Sequence, residues 1–177
     1  MIILLSGWAG SGKDAAALLL EEMNFIRLAF ADGLKAEVAA ATGIPLDTFH
    51  DHCLKDTLLP GGKTPRQLLI EHAATIRATD PDVYTRRVMS NINLLHNYVI
   101  SDWRYPREEE LLTTAFGQNV MRIRINRSIA QMDDPTEHAL DDATFDRVIQ
   151  NDGSISELRN TLRAIVHWGA YPTDWRN

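Results

Sequence analysis

Apolar positions along this chain switch repeatedly between two periods. Ile2 to Leu5 is a continuous apolar run, the length of a strand buried on both faces, and it ends in glycines. A helical run over 13–23 follows, then a β-rich run over 25–30 and a helix over 34–41 that Gly43, Ile44 and Pro45 break. Residues 46–59 fit neither period cleanly and read as short helical pieces before the Pro60-Gly61-Gly62 loop. Thr64 and Pro65 open the next helix, a capping residue followed by a proline suited to the first helical position, with Leu68, Leu69, His72 and Ile76 as its apolar stripe. Asp80-Pro81-Asp82 starts another, with Val83, Val88, Ile92 and Leu95 at helical spacing. Residues 98–101 form a short central strand, 106–116 a helix stopped by Gly117, and 120–125 alternate as a strand near a sheet edge would. A polar stretch without period, 126–142, precedes a last strand at 145–149. The closing helix, 154–168, starts with a capping box, Ser154 with Glu157 three residues on. This alternation predicts an α/β fold: a parallel sheet with helices on both faces.

The glycines after the first strand change the picture. Gly7-Trp8-Ala9-Gly10-Ser11-Gly12-Lys13 has the Gly-x-x-x-x-Gly-Lys spacing of a phosphate-binding P-loop, between a strand and a helix as that motif requires. Glycine backbone turns consecutive N–H groups into one hollow, and the helix beginning there adds its positive end. Lys13 supplies a full charge for the β- and γ-phosphates of a nucleotide. Asp14 stands where Ser or Thr usually places a hydroxyl on Mg²⁺. The expected nucleotide contacts are Gly7, Ala9, Gly10, Ser11, Gly12, Lys13, Asp14 and Ala15; the loop calls for a nucleotide and Mg²⁺.

Composition narrows the partners. With 177 residues, 45% hydrophobic and 24% charged, the chain suits one α/β domain with a substantial core. A net charge of −6 argues against a nucleic-acid polymer as partner, while a local cationic cluster still suits a small nucleotide. No window is apolar enough to span a membrane, and the short N-terminal run lacks the basic flank of a signal peptide. Cys53 is the single cysteine, which fits a reducing cytoplasm, and it is expected to be partly buried.

In a parallel sheet, ligands sit beyond the carboxyl ends of the strands. The third strand ends in Asp102-Trp103-Arg104, where a carboxylate can hold Mg²⁺ or its water and a guanidinium can clamp phosphate. Asn151-Asp152-Gly153 follows the last strand, where it is either part of the ligand site or a plain turn.

Several blocks occur in order: Gly7 to Asp14; Phe30-Ala31-Asp32-x-Leu34-Lys35; Thr64-Pro65-Arg66-x-Leu68-Leu69; Ile100-Ser101-Asp102-x-Arg104-Tyr105-Pro106-x-Glu108; Glu137-His138-Ala139-Leu140; and Phe145-Asp146-x-Val148-Ile149-x-Asn151-Asp152-Gly153. Together they make the chain resemble the deoxynucleoside monophosphate kinases of tailed phages and large DNA viruses, over nearly its whole length. Gly33, where proline is common in that family, and the bulky Trp103 depart from its pattern. The resemblance implies transfer of the γ-phosphoryl of ATP to a deoxynucleoside 5′-monophosphate. It implies one P-loop kinase domain with its core at 1–42 and 96–177, a helical acceptor-binding insertion at about 43–95, and a short lid at about 126–142. Lys13, Asp102, Arg104 and Arg127 are the implied catalytic residues, with Asp14 and Asp102 at the metal and Asn151 at the nucleotide. Asp32, Lys35, Arg66, Leu69, Arg77, Arg104 and Glu108 are implied on the acceptor side; Arg66 also reads as a first-turn surface arginine. Trp8 is a candidate to cover the base or lean on the lid. Small-molecule nucleotides are the expected partners, in the cytoplasm (a host's, if the source is viral), and a homodimer stays open. A phosphomevalonate kinase-like enzyme and a non-catalytic nucleotide-binding switch are the competing readings.

Overall fold

The structure, a computed structural model, describes residues 1–51, 53–128 and 138–169. Five strands make one sheet: β1 (Ile2–Ser6), β2 (Phe25–Leu28), β3 (Asn97–Ile100), β4 (Val120–Asn126) and β5 (Arg147–Gln150). Their spatial order is β2-β3-β1-β4-β5 and every neighbouring pair is parallel. The helices are α1 (Lys13–Glu21), α2 (Phe30–Thr42), α3 (Leu46–His50), α4 (Pro65–Thr79), α5 (Val83–Ser90), α6 (Pro106–Phe116) and α7 (Ile155–Gly169). The expected parallel α/β architecture is present.

Strand alternation divides the sheet's apolar residues between its faces. Ile3, Leu5, Phe25, Val99, Ile123, Ile125 and Ile149 form one core with Ala16, Ala17, Leu19 and Leu20 of α1 and Leu158 and Leu162 of α7. On the opposite parity Ile2, Leu4, Tyr98 and Ile100 are also buried, and α6, with Leu112 fully enclosed, packs along β4. β1 is buried along its whole length, each Ile or Leu being worth about 1.5–3 kcal/mol. The strand entering the glycine loop is therefore the most firmly held in the sheet.

The chain divides into two compact units, Met1–Leu28 with Ile92–Asn177, and Ala29–Asn91. The first holds the sheet with α1, α6 and α7. In the second, α2 packs on α3, α4 and α5. This unit starts earlier than the insertion expected at 43–95, because α2 belongs to its helical cluster.

Local chemistry accounts for the boundaries. The Thr64 hydroxyl accepts from Gln67 N at 3.2 Å while Gln67 Oε1 accepts from Thr64 N at 2.9 Å, the capping box that starts α4. The Ser154–Glu157 box starts α7 as expected. Helix α2 begins at Phe30, four residues before the predicted start, because Ala29 is extended and ends β2. Gly33 lies inside this helix with the Arg87 side chain packed over it. Helix α5 stops at Ser90, so Ile92 and Leu95 fall outside it: Asn91 Nδ2 donates to Arg87 O at 2.9 Å, and the Asn93 side chain then accepts from Leu95 N at 3.0 Å. Strand β4 lies next to the edge strand β5, near the edge as its alternation suggested. Its alternating arginines, Arg122 and Arg124, are paired with acids of the fold. Cys53 is exposed rather than partly buried, in the turn after α3.

Candidate active site

Strand β1 delivers the glycine loop to the first turn of α1. Gly7, Gly10 and Gly12 have φ of 144°, 77° and 103°. At two of them a side chain has no room: a Cβ on Gly7 would run into the backbone carbonyl of Ile125 and stand 2.7 Å from Ser11 Oγ, and one on Gly12 would run into Asn151 Nδ2. Ser11 N donates to Trp8 O at 3.0 Å, closing the loop on itself. Lys13 folds back so that its ammonium donates to Trp8 O at 2.8 Å and also to Gly7 O. The cation thus sits against the loop that should receive phosphates.

Asn151 supports this loop from its own strand end. Its side-chain amide donates to Ser11 O at 2.8 Å and its N–H to Asn126 O at 2.7 Å, in a buried setting. Ser11 Oγ is buried with no hydrogen-bond partner among the described residues. Such an orphan costs about 1–3 kcal/mol, unless an incoming oxygen satisfies it. Glycines with no room for a side chain, an ammonium and an orphan hydroxyl are a donor set that fits the phosphates of ATP.

At the end of β3 the residues differ in role. Asp102 is half-buried. Trp103 is buried, donating from Nε1 to Tyr105 O at 3.0 Å and meeting Phe145 edge-on at 5.5 Å between centroids. Trp103 is thus a core residue, which accounts for a bulky side chain at this point. Glu108 is buried and accepts from Arg104 N at 2.9 Å and Tyr105 N at 3.1 Å. It orients Arg104 through the backbone while capping α6. Among the described residues no group of three or more His, Cys, Asp or Glu could hold a metal alone. The half-exposed Asp14 and Asp102 nonetheless fit Mg²⁺, which commonly takes one or two carboxylates and completes its shell with phosphate oxygens and waters.

A network that sequence reasoning missed runs from the loop to β4. The Trp8 ring meets His138 edge-on at 4.4 Å. His138 Nδ1 lies 2.8 Å from Asp141 Oδ2, and Arg124 Nη2 donates to Asp141 Oδ1 at 2.8 Å. The His138 hydrogen bond, with Arg124 beside it, holds the Asp141 carboxyl below its usual range against the opposing effect of burial. Arg124 also donates to Leu140 O at 3.2 Å and stacks on Phe145, so it is committed to structure. Trp8 thus contacts His138, which lies toward the end of the stretch expected to form the lid. Arg127 is exposed. Most of the expected lid lies outside the described residues.

The remaining residues expected on the acceptor side are in the second unit. Lys35 Nζ is 3.8 Å from Asp32 Oδ1 and 3.3 Å from His50 Nδ1. Arg66 Nε donates to Asp56 Oδ1 at 2.7 Å in the first turn of α4, and Leu69 is half-buried one turn on. Arg77 lies over the Tyr84 ring at 5.7 Å, with Arg87 also on that ring at 5.5 Å. Glu37 accepts from Tyr84 Oη at 3.0 Å and pairs with Arg87 at 2.5 Å. Burial and this hydrogen bond push the Tyr84 phenol up to about 12. Neither Glu37 nor Arg87 stood out in sequence, because only helix packing brings α2 and α5 together.

Comparison with known proteins bears on the fold. No protein-family model matches the chain, and no curated protein matches it in sequence. Solved structures do match. Dephospho-CoA kinase from Campylobacter jejuni superposes with a TM-score of 0.52 at 11% identity, over 95% of this chain and 96% of that one. TT1252 from Thermus thermophilus does so with a TM-score of 0.51 at 18% identity, over 94% and 96%. The chain has the α/β P-loop NTPase fold. Among the described residues no helix is long and apolar enough to cross a membrane.

Proposed function

We propose that this protein is a phosphotransferase that moves the γ-phosphoryl of ATP onto a deoxynucleoside 5′-monophosphate. The observation that carries the reading is the loop itself: Gly7 and Gly12 exclude side chains, and Lys13 already has its ammonium on the loop. Phosphoryl transfer asks little of side chains beyond positioning and charge neutralisation. Lys13 exchanges its two carbonyl partners for phosphate oxygens, and the loop amides hold the rest of the chain of phosphates. Asp14 and Asp102 would hold Mg²⁺, which would supply further charge neutralisation to the phosphates. Asn151 keeps the loop in shape from beneath.

The acceptor is the finer part of the proposal. A second phosphate brought up to ATP requires cations beyond those of one nucleotide. Arg104, set by Glu108, is assigned to the acceptor phosphate, and Asp32, Lys35, Arg66, Leu69 and Arg77 to acceptor recognition, with Arg127 as the arginine of the lid. The order of sequence blocks through Glu108 and Asn151 supports a deoxynucleotide over other phosphorylated acceptors. An ADP-release assay with Mg-ATP and dTMP, dGMP, dCMP, dAMP, hydroxymethyl-dCMP or phosphomevalonate tests this. We expect turnover with at least one deoxynucleotide and none with phosphomevalonate. Binding of ATP without transfer to any acceptor would point to the nucleotide-binding switch instead.

A further inference from the structure

Asp14 places a formal negative charge where the P-loop spacing ordinarily puts a neutral hydroxyl, directly beside the site for a polyanion. Its carboxylate is met by a residue outside every sequence block considered above. Arg27 Nη2 lies 2.9 Å from Asp14 Oδ1, and Arg27 Nε donates to Ser101 Oγ at 3.2 Å. Phe25 and Arg27 share one face of β2, since side chains alternate along a strand. Phe25 enters the core beneath α1, so Arg27, at the end of the same face, reaches the first turn of that helix. Ser101 is buried and precedes Asp102. One guanidinium therefore joins edge strand β2, the first turn of α1 and the turn carrying the second candidate metal carboxylate.

Stability does not account for this pair. Its side chains are 35% and 58% exposed, and ion pairs so open to water contribute little to folding. The Arg27 charge, however, meets the first turn of α1, the turn that begins at Lys13 directly after the glycine loop. We propose that Arg27 is a positioning residue for the metal–nucleotide complex: it cancels and orients the Asp14 carboxylate, so that a carboxylate can serve in a hydroxyl's place without repelling the triphosphate. The inference rests on the ATP reading above.

The consequence is selective. Without Arg27, Asp14 opposes the bare triphosphate, whereas a divalent cation between carboxylate and phosphate masks that repulsion. The test is calorimetric titration of ATP into the full chain, once with EDTA and once with Mg²⁺, for wild type, Arg27→Gln, Arg27→Lys and the double variant Asp14→Asn/Arg27→Gln. Arg27→Gln should weaken metal-free ATP about tenfold and Mg-ATP much less, as expected for loss of one unit charge near a polyanion. Arg27→Lys should stay near wild type, and the double variant should recover metal-free binding. Equal weakening in both conditions, no weakening in either, or a double variant as weak as Arg27→Gln would overturn the proposal, because a merely structural arginine is not rescued by removing its acid. Wild type that binds ATP in neither condition would overturn the nucleotide reading along with it.

Discussion

Lys13 holds two carbonyl oxygens of its own loop, so engaging a phosphate is an exchange of partners rather than a new ordering of the side chain. Lys13→Ala should lower transfer by about 10²–10³-fold, the scale for losing a positioned charge at a reacting group, with little change in the thermal midpoint. Arg66 makes the contrasting case. Its partner, Asp56, is exposed, so Arg66→Ala should leave the thermal midpoint almost unchanged. Its effect should fall on the acceptor KM, with the KM for ATP unchanged; unaltered acceptor kinetics would remove Arg66 from the site. Spacing alone made Lys13 legible, since strand, glycines and lysine are contiguous. Arg27 was not legible, because its meaning depends on which face of β2 looks toward α1.

At the scale of elements, the join between β4 and β5 relies on charge. Arg122 donates to both carboxylate oxygens of Asp146, at 2.9 and 3.0 Å, and reaches Glu109 of α6 at 3.2 Å. Burial acts to raise the Asp146 carboxyl, but the Arg122 hydrogen bonds outweigh it and hold the group below its ordinary value of 3.8. A carboxyl lowered in the folded state contributes stability that is present above its unfolded pKa and lost as pH falls through the folded one. The thermal midpoint should therefore drop as pH is taken from 5 to below about 4, and Asp146→Asn should flatten that drop while lowering the midpoint at neutral pH. Circular-dichroism melts across this range check both. The alternating arginines of β4 suggested a strand near an edge, which its place beside β5 bears out, but a sequence shows the charges and not the acids that fold back to meet them.

For the whole molecule, the glycine loop belongs to one compact unit and most of the residues proposed for the acceptor to the other. This gives a prediction by hydrogen exchange. ATP should slow exchange in the amides from Gly7 to Gly12 and in the first turn of α1, and leave α2 and α4 unaffected. A deoxynucleoside monophosphate should slow exchange in α2 and α4. Protection of the second unit by ATP alone would sink the assignment of that unit to the acceptor.

The parallel sheet, its order of elements and the phosphate loop were all written in local sequence, because a buried strand, a glycine turn and a capped helix are each specified by residues close in the chain. Several things were decided only by tertiary structure: the allegiance of α2 to the helical unit, the use of Trp103 as core, the hold of Asn151 on Ser11, and the pairing of Arg27 with Asp14. Each depends on side chains brought together from distant positions by strand order and helix packing, and no local pattern of apolar and polar residues encodes such a meeting.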